Sequence, residues 1–110
     1  HYSELYYYIT GKKMTWEELL AVSERIWHLT RAFNVREIEN FGRHWDHPPK
    51  RLSEDPIQSG PNQGYCIPME DIEFLLDAYY DARGWDADGK PTRPTLERVG
   101  LADVADALAL

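Results

Sequence analysis

The side chains with the clearest chemical potential are His44, Asp46, His47 and Cys66. Two imidazoles, a carboxylate and a thiol are the donor types that zinc and related transition metals prefer. His44 and His47 come together at i, i+3 only in a helix, and Pro48-Pro49 disfavours one there. The simpler reading is a polar loop with a packed Trp45, and a lone cysteine is most often a small buried hydrophobe. The pairs Glu17/Glu18, Glu70/Asp71 and Asp86/Asp88 have the chemistry of acid–base dyads. The first two sit at expected helix starts and the third in a turn, and nothing in the spacing sets a pair at catalytic separation. Asp86-Ala87-Asp88-Gly89 has the opening spacing of a calcium loop. It lacks the further ligands, and Glu97 closes it only in a forced register. Gly60-Pro61-Asn62-Gln63-Gly64 is glycine-rich but lacks the lysine and hydroxyl of a phosphate-binding loop. Arg83, stacked on Trp85 or paired with Asp86, reads as a packing device.

These residues must be positioned by helices. Thr15-Trp16-Glu17-Glu18 has the form of a capping box. Leu19, Val22, Ile26, Leu29 and Phe33 follow at spacings of 3, 4, 3 and 4, with Leu20 and Trp27 widening the stripe. The pattern predicts a helix from about Trp16 to Asn34, with an apolar face wide enough to need cover from more than one neighbour. A second helix is expected from about Met69 to Arg83, with Ile72, Leu75, Leu76 and Tyr79 inward, Pro68 at its start and Gly84 at its end. The two helices are expected to pack as a pair. Ser3 to Thr10 reads as a short helix with Leu5, Tyr8 and Ile9 on one face, stopped by Gly11. Thr92 is placed to cap a short helix through about Val99, and Asp103 to Leu110 forms a last one, with Val104, Leu108 and Leu101 inward. Between them, Val35 to Ile67 has no sustained period and carries four prolines. Neither regular element is expected to persist there. Phe41, Trp45, Leu52, Ile57 and Tyr65 punctuate this segment as anchors, so it is expected to lie on a surface that this chain does not contain. Only Tyr65-Cys66-Ile67 alternates in the manner of a strand. The expectation is an all-α fold: a small helical domain, residues 1–110, with one long irregular Pro/Gly-rich loop.

Composition narrows the function. The chain has 110 residues, 43% hydrophobic and 28% charged, with 12 basic against 19 acidic side chains and a net charge of −7. This balance disfavours nucleic acid as a partner, because phosphate binding needs clustered Lys and Arg. The short apolar runs leave no candidate membrane span. No signal-peptide pattern is present, so a cytoplasmic location is expected. One cysteine allows neither an internal disulfide nor a multi-cysteine cluster. The first residue is His1, from which a processed or longer parent chain is expected.

Several stretches, taken in order, carry a family resemblance. They are Glu24-Arg25-Ile26-Trp27-His28-Leu29-Thr30-Arg31-Ala32-Phe33-Asn34-Val35-Arg36-Glu37, Pro49-Lys50-Arg51-Leu52, Gly60-Pro61-Asn62-Gln63-Gly64, Leu76-Asp77-Ala78-Tyr79-Tyr80-Asp81-Ala82-Arg83-Gly84-Trp85-Asp86, Gly89-Lys90-Pro91-Thr92 and Leu96-Glu97-Arg98-Val99-Gly100-Leu101. Together they resemble the C-terminal end of the tungsten-containing aldehyde ferredoxin oxidoreductase family. The resemblance implies the last part of a third, helical domain. It implies a parent enzyme with a tungsten or molybdenum bis-pterin (molybdopterin-type) cofactor and one [4Fe-4S] cluster. That parent would oxidise aldehydes to carboxylic acids and pass the electrons to ferredoxin. The family's cluster cysteines and pterin contacts correspond to none of these residues, so no catalytic, cofactor-binding or metal-ligating residue is assigned here. The chain's partners would be the parent's other domains. The loop departs from the family at Gly42 to Arg51, with Pro48 where leucine is usual. This leaves the substrate open between a simple aldehyde and an aromatic acyl thioester, as in benzoyl-CoA reductase subunits. The residues also allow an independent helical protein-interaction module without enzymatic activity, or a small metalloprotein built on His44, Asp46, His47 and Cys66.

Overall fold

Thr15 starts the longest helix as the sequence predicts. Its hydroxyl accepts from the Glu18 N–H at 3.2 Å and the Glu18 carboxylate accepts from the Thr15 N–H at 2.8 Å. Each side chain satisfies a backbone donor that has no partner within the helix. Thr15→Ala is expected to cost about 1 kcal/mol, with amide-exchange protection lost first in residues 16–19. The computed structural model describes all residues, His1–Leu110. In it this helix is α2, Trp16–Glu37, preceded by α1, Tyr2–Thr10. A 3₁₀ turn at Arg43–Trp45 and a short α3, Arg51–Glu54, follow, then α4, Met69–Arg83, α5, Arg93–Arg98, and α6, Ala102–Ala107. The fold is all-α. No strand forms at Tyr65-Cys66-Ile67, and the one β-type contact is an isolated bridge between Trp85 and Pro91.

The extents of three expected segments need correction. Helix α2 runs three residues past Asn34, because nothing at Asn34 removes a donor or demands a left-handed φ. It ends when Ile38 turns extended. The segment expected to lack regular structure holds the 3₁₀ turn and α3, and closes on itself through Ile57 N–H to Tyr65 O at 3.0 Å and Ile67 N–H to Leu52 O at 3.0 Å. Pro48, Pro49 and Pro56 flank the 3₁₀ turn and α3 instead of interrupting them, and Pro61 sits inside the turn closed by Gln63 N–H to Gly60 O at 3.1 Å. Helix α6 stops at Ala107, and the chain beyond it passes through Ala109 at φ 57.

The well-packed interior is small. Leu96, Leu101 and Ala105 form its centre, lined by Val99, Val104 and Leu108, and it joins α5 to α6. Helices α2 and α4 do not pack backbone to backbone as a pair; long side chains bridge them. Trp27 Nε1 donates to Tyr79 Oη at 2.8 Å. The predicted stripe of α2 is not the face that this chain covers. Val22, Ile26, Leu29 and Phe33 are 44–58% exposed, whereas His28 and Ala32, on another face, are buried. In α4, Ile72 is buried as expected, but Leu75 is 63% exposed and Tyr80 is buried in its place. No residue of α1 is buried. Of the five loop anchors only Phe41 is buried.

The shape follows from this. A compact domain of this length has a radius of gyration of about 13 Å, against 18.4 Å here, with extents of 52 × 39 × 22 Å. A folded monomer of this mass exposes roughly 6,300 Å², whereas this chain exposes 8195 Å². Most of the exposed large apolar side chains lie on α1, α2 and α4. No helix is long and apolar enough to cross a membrane.

Candidate functional site: a half-buried polar knot around Arg31

The most constrained cluster lies where α2, the 3₁₀ turn, α4 and the turn at residues 86–89 meet. Gly84 ends α4 in the left-handed conformation (φ 68), and the Trp85 N–H returns to Tyr80 O at 2.9 Å. This C-terminal motif satisfies carbonyls that the helix leaves free and aims Trp85 back at α2. The hydroxyls of Thr92 and Thr95 donate to Gly84 O at 2.9 and 2.7 Å. Thr92 therefore stands at the start of α5 without capping it through its side chain. Asp86 Oδ1 accepts from the N–H groups of Asp88 and Lys90, both at 2.9 Å, which tightens the next turn. That turn presents the Gly89 carbonyl to Arg31.

Arg31 makes three kinds of contact at once. Its Nε donates to Gly89 O at 2.7 Å, and its two terminal nitrogens grip both oxygens of Asp46, Nη1 at 2.7 Å from Oδ1. Its guanidinium carbon lies 4.4 Å from the Trp85 ring centre and 4.6 Å from that of Phe41. A bidentate, stacked arrangement of this kind suits arginine and not lysine. Tyr80 Oη donates to Asp46 Oδ2 at 2.5 Å. Burial works against the charge on Arg31 and Asp46, but their pairing outweighs it: the arginine is held above its usual range and the carboxyl below its own. Burial and the adjoining carboxylate push the Tyr80 phenol up to about 12. The knot therefore holds one fixed charge state, guanidinium, carboxylate and neutral phenol, across the neutral range.

A second ion cluster adjoins it. Arg43 binds the Glu73 carboxylate, donates to Glu73 O at 2.7 Å and pairs with Asp77 at 2.7 Å. Arg43 chiefly, aided by His47 and against some desolvation, holds the Glu73 carboxyl below its ordinary value. His47 Nε2 lies 2.7 Å from Glu73 Oε1 without meeting the geometry of a hydrogen bond.

The structure separates the residues singled out as metal donors. Asp46 is committed to Arg31 and Tyr80, His47 faces Glu73, and the exposed His44 ring lies beside Trp45. Cys66 lines a depression of about 770 Å³ with Leu52, Ile57 and Tyr65. No three His, Cys, Asp or Glu side chains gather as a metal site. Glu18 is a cap, Asp86 holds its turn, and Glu97 pairs with Arg93 instead of closing a calcium loop. Arg83 lies over Tyr79 and not Trp85, and Asp86 is not its partner; the Trp85 face is taken by Arg31. Sequence reasoning missed Arg31, Tyr80 and His28 because each interrupts or flanks the apolar spacing. The available signal was His28, Arg31, Ala32 and Val35 recurring at helical spacing as a second face.

Comparison with known proteins agrees with this architecture. A family model described as "Aldehyde ferredoxin oxidoreductase, domains 2 & 3" matches residues 1–101. A tungsten-containing aldehyde ferredoxin oxidoreductase of Pyrococcus furiosus is 36% identical over 102 residues, which is 93% of this chain and 16% of that protein. The protein of the same description from Thermococcus kodakarensis is 33% identical over 93 residues, 84% of this chain and 15% of its own length. Among solved structures, the active site complex BamBC of benzoyl coenzyme A reductase with 1,5-dienoyl-CoA superposes with a TM-score of 0.73 at 32% identity, over 97% of this chain and 14% of that one. The chain thus spans about one sixth of the length of the relatives it matches. With nearly its whole length matched by the family model, the chain belongs to the aldehyde ferredoxin oxidoreductase family, within that family's domains 2 and 3.

Proposed function

We propose that this chain is the helical C-terminal scaffold of a tungsten-dependent oxidoreductase and is not itself catalytic. The observation that carries this reading is the outward-facing apolar stripe of α2. A face with Val22, Ile26, Leu29 and Phe33 about half exposed is what a helix presents to a neighbour that its own segment does not supply. The Arg31 knot supports the reading from the other side. It ties α2, α4 and the 86–89 turn together, and its own two charges, Arg31 and Asp46, are paired with each other.

The parent protein would convert aldehydes to carboxylic acids and pass the electrons to ferredoxin. It would do so in the cytoplasm, with a tungsten or molybdenum bis-pterin and a [4Fe-4S] cluster. The donors of this chain fit neither group: Cys66 is its one thiol, and no set of three ligating side chains converges. Those groups would be held elsewhere in the parent, and no reaction step is assigned to residues 1–110. The work of this chain would be to present its apolar faces and the 38–67 segment to the parent's other domains.

Two measurements test the reading. The full-length protein is expected to contain tungsten and four irons per chain and to reduce ferredoxin when given an aldehyde; the 110-residue chain alone is expected to contain neither metal. Stoichiometric metal on the short chain by plasma mass spectrometry, or a gene encoding no more than a small helical module, defeats the proposal. Ile26→Ser separates the docking role from folding. The change should cost under about 0.5 kcal/mol in unfolding of the isolated chain. In the full-length protein it should lower the thermal denaturation temperature through loss of roughly 2 kcal/mol of burial.

A further inference from the structure

His28 is the one fully buried titratable side chain that the knot leaves out, with 0% exposure. Its Nδ1 accepts from Trp85 Nε1 at 3.0 Å, and the two rings meet edge to face at 6.0 Å between centres. An indole N–H only donates, so Nδ1 carries no proton and the neutral ring is protonated on Nε2. That Nε2 has no hydrogen-bond partner. It lies 3.5 Å from Glu24 Oε1, which Arg98 of α5 approaches to 3.4 Å. The imidazole thus joins α2 to the turn after α4 directly and to α5 through Glu24.

We propose that His28 is a proton-sensitive latch: its neutral ring holds the Trp85 indole directly, and α5 through Glu24, against α2, and its protonation releases them. A proton taken from solvent can add only at Nδ1. Two N–H donors would then face each other across the present hydrogen bond, and no water reaches the ring to accept either one. The charged ring is therefore compatible only with a conformation in which Trp85 has moved away. The groups that face it are Glu24 on α2, which favours the charge, and Arg98 on α5 and Arg83 on α4, which oppose it. Burial outweighs Glu24 and holds the imidazole below its ordinary value. The sign follows. The opened state protonates first as pH falls, so the latch is closed above the ordinary histidine value. It weakens from there down to the depressed value of the closed state.

The test is peptide-resolved amide exchange on the full-length protein, corrected for intrinsic rates, between about pH 8 and pH 5. Protection across residues 84–101 should be level above about pH 6.5 and fall about tenfold per pH unit below it, one proton being taken up on opening. His28→Gln keeps an acceptor for Trp85 without a titrating group and should remove the slope. A level profile in the wild type, or the same slope in His28→Gln, overturns the proposal. Should His28→Gln fail to fold, deuteration of the His28 ring carbon, followed by mass spectrometry of the wild type, decides the matter. A midpoint clearly below about 6.5 supports the latch, and one at or above that value refutes it.

Discussion

Arg31→Ala is expected to destabilise this chain by about 3 kcal/mol, a large share of the roughly 5–15 kcal/mol that a domain has available. The side chains of Arg31 and Asp46 are 11% and 23% exposed, so the carboxylate left behind keeps only Tyr80 and partial solvent as compensation. The Gly89 carbonyl loses its donor, and Trp85 and Phe41 lose the cation they face. Urea unfolding followed by circular dichroism measures the cost. Arg31→Lys should recover only part of it, because an ammonium cannot hold both oxygens of Asp46 and Gly89 O together. Recovery to wild-type stability would mean that net charge matters here and the fork geometry does not.

Gly89→Ala should cost a similar amount, about 3 kcal/mol, for a different reason. Gly89 sits at φ 74, where a side chain is strained by roughly 1–2 kcal/mol. A Cβ there would also run into Arg31 Nη2 and lie 2.7–2.8 Å from the Tyr80 ring and hydroxyl. Gly60→Ala supplies the control. Gly60 has φ 93 with nothing within 4 Å of the place a Cβ would take, so only the backbone strain remains. The gap between the two substitutions measures how rigidly the knot holds Arg31. Because part of the clash is with Arg31 itself, the double variant Arg31→Ala/Gly89→Ala should cost less than the sum of the two, by about 1 kcal/mol. Strict additivity would place the clash elsewhere.

Local chemistry made much of the fold legible. Thr15 and Glu18 define a helix start whatever surrounds them, because their hydrogen bonds close within one turn. Gly84 and Gly11 end helices because a left-handed residue is cheapest as glycine. Pro68 and the acidic residues after it mark the start of α4 in the same local way. The knot was not legible. Arg31, Asp46, Tyr80 and Gly89 are scattered along the chain and share no spacing rule, so only the packing of four elements brings them together. The same holds for Trp85: its sequence neighbour Arg83 was its natural partner on paper, but the Gly84 turn swings it towards α2.

By itself the sequence determined an all-α chain, the starts of its principal helices, and the family resemblance borne by the Arg-x-Phe-Asn and Tyr-Tyr-x-x-Arg-Gly-Trp segments. Only the tertiary structure decided which face of α2 this chain covers. Helical periodicity states which residues share a face; it does not state which neighbour covers that face. Leu19, Val22, Ile26, Leu29 and Phe33 read as a core stripe because apolar area seeks cover. Yet the cover present in this chain falls on His28, Arg31 and Ala32, where directional hydrogen bonds and the Trp85 ring hold α2 in place. The apolar stripe remains as surface.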